Sequence, residues 1–379
     1  MNPKKVAIFI HSVENGTFTH IATNLIRGFK DLGVTQCDLV VLNATDEEKA
    51  NFPNINVVSL DAGPATYSLM KLVRYLREHQ PDAIFPMPWY FNVIAIWARV
   101  LAGTNTKVIM GEHNIISLEA SIEHKNNLKL KYLPVLMRHS YPHGHGIIGV
   151  SQDVITDLVK EVKVSQKIPM RAIANPLDVD LVQKRSLEPV VHPWFQNQNI
   201  PVILTAARLA KQKQLDVLIR AFAGVLDVMP ARLLILGKGA LKTELESLCK
   251  ELQIEEHVSM PGYVSNPCSF MSVCDAFVLA SAWEGCPIAI EEALASGAPI
   301  IVNDAPGGSK DLVDYGKYGV MVPNGDQKAL TEAILKVISE PNLKKHYQAQ
   351  ARIRSHDFNY LNISQQYLDF YKSVVASGK

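Results

Sequence analysis

The chain is poor in the features that would mark it as secreted, membrane-spanning or nucleic-acid-binding. Five cysteines occur in 379 residues (Cys37, Cys249, Cys268, Cys274 and Cys286), an odd and scattered set without a CxxC pair. Reduced thiols in a cytoplasmic protein are the simplest reading. Acidic and basic residues nearly cancel to a formal net charge of +1, so nothing points to broad nucleic-acid affinity. Apolar runs are short. The N-terminus, MNPKKVAIFIHS, carries two lysines and then five consecutive apolar residues, which suits a first strand better than a signal peptide. The most apolar stretch, 89–103, contains Asn92 and Arg99; it reads as a buried helix, far short of a membrane span. No solenoid period and no low-complexity tract occurs.

What is present describes a soluble globular protein: 47% of residues are hydrophobic and 20% charged. The chain is too long for one compact core of the usual size and about right for two domains. In the first half, strand and helix patterns alternate. Residues 5–10 form a buried strand, a loop with Gly16 follows, and a helix is expected over 20–32. Short strands fall at 39–42 and 57–60. Leu69, Leu72, Val73 and Leu76 have helical spacing within 67–79. Strands at 83–85 and 107–110 follow, the second leading into Gly111-Glu112-His113. After a strand at 146–150, Ser151 is placed to cap a helix over 152–162.

Residues 178–199 are polar and proline-punctuated and read as the connection between domains. Alternation then resumes, with strands at 202–206, 233–236 and near Val258, and helices at 215–228 and 241–252. A last strand at 319–322 and a helix at 327–339 follow, and the tail 359–376 has a helical apolar pattern. Such alternation predicts parallel sheets covered by helices on both faces. The expected domains are 1–190 and 191–358.

The most informative stretch is 276–304, which reads as strand, loop, helix, strand. Pro287 stands where a helix starts and lacks only an N–H that would go unused there. Ile288 begins the run of helix formers, and Gly297 suits the left-handed residue after the helix. Glu284 lies in the loop at the carboxyl end of a strand, and Glu292 lies in the helix. A helix N-terminus presents free N–H groups and partial positive charge. Gly285 allows close approach to the backbone. The crevice beyond the carboxyl ends of parallel strands is where such sheets bind ligands. Carboxylates there suit hydroxyls, so a ligand with phosphates in the middle and polyols on both sides, a nucleotide sugar, fits the stretch.

The segment SAWEGCPIAIEEALASGAPIIVNDAPGGSKDLVDYGKYGVMVPNGD resembles the signature of retaining glycosyltransferase family four. The paired glutamates, the EALASG-P run, Gly307-Gly308 and the YG-x-x-VP-x-GD ending match in order. The resemblance extends over nearly the whole chain. It implies the GT-B fold, two Rossmann-like doubly wound domains facing each other across a cleft, with the last helix (359–379) returning to the first domain. It also implies a hexosyltransferase that moves a sugar from a nucleotide-diphosphate donor, of UDP or GDP type, to a hydroxyl acceptor. Retention at the anomeric carbon, no metal and no separate cofactor are expected. The product would be a polysaccharide, glycolipid or lipid-linked glycan. The competing readings are a GT-B sugar-nucleotide epimerase and a non-catalytic nucleotide-sugar-binding protein. A dehydrogenase would need a full GxGxxG after the first strand, which is missing.

The resemblance also implies roles for single residues. Glu284 would hold donor-sugar hydroxyls and Glu292 the ribose. Arg208 and Lys213, in TAARLAKQKQLDVLIRAF, would stabilise the leaving diphosphate in place of a metal; Arg offers paired donors and Lys a point charge. Gly237, Tyr263 and Val264 would line the nucleoside site, and Gly285, Cys286, Pro287 and Ile288 would form the anion-facing turn. In the first domain, Gly16 would lie near the diphosphate and His113 near the transferred sugar. The sequence departs from the pattern at Ala207, where glycine is usual, at Gln214, and at the first loop, where Gly16 stands without a second glycine. Glu291 and Lys211 read as ordinary solvated residues. Trp89, Tyr90 and Phe91 suit either an acceptor platform or the core. The basic amphipathic stretch 125–139, with Lys125, Lys129, Lys131, Arg138 and His139, suits peripheral contact with an anionic inner membrane face.

Overall fold

The computed structural model describes residues 2–14, 16–119, 128–196 and 200–378. The chain divides into two units: Met1–Leu177 with Asn359–Lys379, and Asp178–Phe358.

The first unit is built on β1 (Lys5–Ile10), β2 (Gln36–Val41), β3 (Asn56–Ser59), β4 (Ala83–Pro86), β5 (Lys107–Glu112), β6 (Gly146–Gly149) and β7 (Met170–Ala172). They form one sheet in the order β3-β2-β1-β4-β5-β6-β7, and every pairing is parallel. Val6 to Ile10 of β1 are fully buried, as a central strand covered on both faces requires. The strand order reverses direction between β1 and β4, the switch point where open sheets of this kind bind ligands.

The helix Thr17–Asp31 buries Ile21, Leu25, Ile26 and Phe29. Helix Tyr360–Ala376 lies across it, so close at Gly28 that an added Cβ would come within 2.1 Å of Ser364 Oγ. Asn359 caps this last helix by accepting from Leu361 N at 3.0 Å, and Tyr360 N donates to Leu177 O at 2.8 Å. Tyr367 then fills the space beside Phe29 and Phe85. Ser151 caps the helix Gln152–Lys160 by accepting from Val154 N. The helix Trp89–Ala102, expected to be buried, is so on one face only. Phe91, Ala95 and Ile96 are enclosed, while Trp97, Val100 and Leu101 reach solvent.

The second unit repeats the plan with β8 (Val202–Ala206), β9 (Arg232–Leu236), β10 (Val258–Gly262), β11 (Ala276–Leu279), β12 (Ile300–Asp304) and β13 (Val320–Pro323). The order is β10-β9-β8-β11-β12-β13, again parallel throughout, with its reversal between β8 and β11. One correction concerns the connection. Residues 178–199 are not irregular throughout, because Asp178 caps a helix, Val179–Ser186, that buries Val179 and Val182. This helix packs on Pro267–Val273 and Ile288–Ser296. Two apolar residues one helical turn apart suffice to dock it, so the units part at Leu177/Asp178 and not at 190/191. No helix among the described residues is long and apolar enough to cross a membrane.

Candidate active site

In the second unit the loops that follow β8 and β11, on either side of the switch point, bring opposite charges together. Lys213 Nζ lies 2.5 Å from Glu284 Oε1, and Ser281 Oγ donates to the same oxygen at 2.6 Å. Both charged side chains are mostly buried. Such a pair is weak support for stability, because desolvation offsets the attraction, but it does fix geometry. Arg208, on the same loop as Lys213, is exposed. Lys211 between them is exposed as well, in keeping with a solvated residue.

Two glycine positions are explained by backbone crossing. Gly307 has φ +117, and a Cβ there would sit 1.6 Å from Glu284 O. The strand of chain around it is tied to the carboxylate loop by Glu284 N to Pro306 O (3.0 Å) and Gly308 N to Gly285 O (2.8 Å). Gly237, with φ +136, is in the same position against Ala207, whose carbonyl oxygen would lie 1.9 Å from a Cβ. Asn303, buried at the end of β12, donates to Ala280 O at 2.7 Å, and Asn324 donates to Ala282 O at 3.1 Å. The loop holding Glu284 is thus braced from three sides.

Beside this centre is a pocket of about 340 Å³ lined by Arg208, Gly237, Lys238, Tyr263, Val264, Ala289 and Glu292 among others. Five residues singled out in the sequence therefore share one cavity. Glu292 is half-buried. Burial pushes its carboxyl up to about 7, against a smaller opposing pull from Arg185. Lys238 lies over the Tyr263 ring at 5.7 Å. A larger open groove of about 690 Å³ starts at Lys211 and Gln214 on the loop after β8 and runs outward past Asp216, Arg220, Glu244 and Glu251 on the outer helices.

Pro287 caps the helix Ile288–Ser296 in extended conformation, and Gly297 closes it at φ +75. Cys286 donates from Sγ to Glu291 Oε1 at 3.3 Å. Glu291 corrects the sequence expectation: it is fully buried, because its helix is packed against Val179–Ser186, Pro267–Val273 and Pro341–Ser355.

His113 and Gly16 belong to the first unit. His113 is buried at the end of β5, with its ring edge-on to Phe18 at 5.0 Å. Burial pulls its pKa down to about 4, opposed by a hydrogen bond with Asn175, so it is neutral at pH 7. Among the described residues its Nε2 has no hydrogen-bond partner. Gly16 caps the helix Thr17–Asp31 in extended conformation, and among the described residues an added Cβ would meet only Glu14 O, in ordinary contact at 3.8 Å. Glu112, next to His113, faces inward. Asn92 donates to it at 2.7 Å and Tyr141 also donates. Burial pushes its pKa up to about 8 even so. Phe91 is in the core against Phe9, which removes it from any platform; Trp89 and Tyr90 are half-buried. Of the basic stretch, Lys125 and the side chains of Lys129 and Lys131 lie outside the described residues.

Both halves of the chain match family models: glycosyltransferase family 4 over residues 16–181 and glycosyl transferases group 1 over residues 192–354. The chain belongs to this glycosyltransferase family. The transferase is 29% identical to the N-acetylgalactosamine-N,N'-diacetylbacillosaminyl-diphospho-undecaprenol 4-alpha-N-acetylgalactosaminyltransferase of Campylobacter jejuni, over 97% of this chain and 99% of that protein. It is 22% identical to the N-acetyl-alpha-D-glucosaminyl L-malate synthase of Bacillus anthracis, over 76% and 73%. Among solved structures, Anabaena Alr3699/HepE in complex with UDP and glucose superposes with TM-score 0.77 at 20% identity, covering 98% of this chain and 100% of that one. Such similarity establishes the GT-B fold of the transferase.

Sequence reasoning missed Gln212, Ser281 and Asn303. Ser281 is three residues before Glu284, the only local hint. Gln212 and Asn303 act across loops, and no local pattern marks them.

Proposed function

We propose that this transferase moves a sugar from a nucleotide-diphosphate sugar, of UDP or GDP type, to a hydroxyl of a glycan acceptor carried on a lipid diphosphate. We further propose retention at the anomeric carbon, no metal ion and no separate cofactor. The observation that carries this is the ion pair of Lys213 with Glu284 at the switch point, with Arg208 on the same loop lining the pocket that holds Glu292. The pocket takes the nucleoside, with Glu292 accepting from ribose hydroxyls. Glu284 keeps Oε1 on Lys213 and Ser281 and offers Oε2 to the donor sugar. Arg208 and Lys213 neutralise the charge that grows on the diphosphate as the bond from the anomeric carbon to its oxygen breaks. The acceptor oxygen forms its bond to that carbon on the same face, and its proton passes to the leaving phosphate oxygen. The lipid-linked acceptor follows the Campylobacter relative, whose name gives a diphospho-undecaprenol-linked substrate.

A thermal-shift screen with UDP, GDP, ADP, CMP and NAD, without metal and then with magnesium, tests the donor assignment. Stabilisation by UDP or GDP without metal supports it, and a shift with NAD alone overturns it. The anomeric configuration of the product, read by NMR, tests retention.

The same reading puts the enzyme against the cytoplasmic face of a membrane. Trp97, Val100 and Leu101, with Tyr132, Val135 and Leu136 of the adjoining helix Leu128–Ser140, are exposed apolar side chains next to Arg99, Arg138 and His139. Sedimentation with anionic liposomes at low salt checks this, and absence of binding ends it.

A further inference from the structure

One buried polar side chain at the centre of the site has no role in the chemistry above. Gln212 is 7% exposed and sits on the single turn Lys211–Lys213, between the two cations in sequence. Its amide nitrogen donates to Trp283 O at 2.9 Å. Its amide oxygen accepts from the Arg208 guanidinium at 3.4 Å. Its own carbonyl accepts from Ala282 N at 2.8 Å. One residue therefore connects the loop after β8, which carries the cations, to the loop after β11, which carries Glu284.

We propose that Gln212 is a positioning residue that sets the Arg208 guanidinium in register with the Trp283-Glu284 loop. This rests on the reading of the site given above. Filling the space needs only an apolar side chain of similar length. An amide does more, because its donor and acceptor are aimed at different loops and both are used. Arg208 is exposed and long, and an unrestrained arginine side chain loses rotamer entropy when it is ordered on a ligand. A partner that orders it in advance lowers that loss at the moment of reaction. The bond to Trp283 O, in turn, fixes the peptide immediately before Glu284. Lys213, the next residue, reaches the Glu284 carboxylate directly, so two consecutive side chains of the turn hold the Trp283-Glu284 segment.

The test is a double-mutant cycle on the full chain, with the donor identified by the nucleotide screen. Q212M keeps the volume and removes both amide bonds. Q212E keeps an acceptor for Arg208 and gives up the donor to Trp283. Q212M is expected to lower kcat about ten- to a hundred-fold with a smaller change in KM, and Q212E to recover part of that loss. In the R208A background, Q212M should lower kcat by a clearly smaller factor, since the bond to Arg208 is already gone and only that to Trp283 O is left to lose. A merely structural role would lower kcat by the same factor with and without Arg208, and that result, or unchanged kcat in Q212M, overturns the proposal. A wild-type chain that turns over no nucleotide sugar would instead overturn the reading of the whole site.

Discussion

The two units repeat one strand order and place opposite kinds of side chain where it reverses. Beyond β8 and β11 are an exposed arginine, a lysine paired with Glu284, and Glu292 in an adjoining pocket. Around the corresponding strands of the first unit are Phe18, Trp89, Tyr90 and a histidine kept neutral by burial. Its carboxyl group, Glu112, is turned inward, and burial pushes its pKa up to about 8. Topology thus chooses the place, and side chains choose the ligand. Under the proposed function the diphosphate belongs to the second unit, whose loops carry the cations. The glycines differ in the same way. Gly307 and Gly237 are pressed on backbone oxygens, whereas a Cβ at Gly16 would meet Glu14 O only at an ordinary 3.8 Å.

The largest effect that would sharpen this contrast is expected at Gly307. A G307A substitution forces a Cβ onto Glu284 O in a left-handed backbone, at a cost of about 3–5 kcal/mol. For a unit of this size that lowers Tm by roughly 10 °C, and transfer activity should be lost with it. Calorimetry and a donor-turnover assay check both, and an unchanged Tm would show that the two loops separate readily. Next is R208A, expected to reduce kcat by about a hundred-fold or more while leaving Tm nearly unchanged, since the side chain is exposed. Near-normal turnover would remove the functional half of the comparison.

In the first unit the expected effect is on pH dependence. The Glu112 carboxyl goes from 4.5 to about 8 on burial, so between those values the folded chain holds a proton that the unfolded chain has lost. Its contribution to stability is present at low pH and lost as pH rises toward 8. E112Q should therefore show a smaller fall in Tm between pH 5 and 8 than the wild type; parallel curves would mean the carboxyl ionises freely. The smallest effect belongs to G16A, with stability changed by less than about 1 kcal/mol because nothing blocks the new methyl group. A large loss of donor binding in G16A, read by calorimetric titration, would show that a ligand approaches this backbone closely and would narrow the difference between the units.

Much of the fold was legible because parallel strands buried on both faces leave unbroken apolar runs. Residues 5–10, 202–206 and the helix at 327–339 have the bounds that their patterns imply. The short helix Val179–Ser186 was not legible, since two valines in a polar stretch say little until a surface is there to receive them. Glu291 and Glu292 show the same limit within the site. They are adjacent and chemically identical, yet one is sealed between helices and the other lines the pocket.

By itself, the sequence determined the alternation of strands and helices, the family signature and the set of charged residues near the chain reversals, because these are written in periodicity and in local motifs. Only the tertiary structure decided which charges meet. The contact between Lys213 and Glu284, the reach of Gln212 across to Trp283, and the glycine at 307 all join segments about seventy or more residues apart in the chain, or loops of different strands. Such pairings exist only once the sheet has brought the carboxyl ends of its strands side by side.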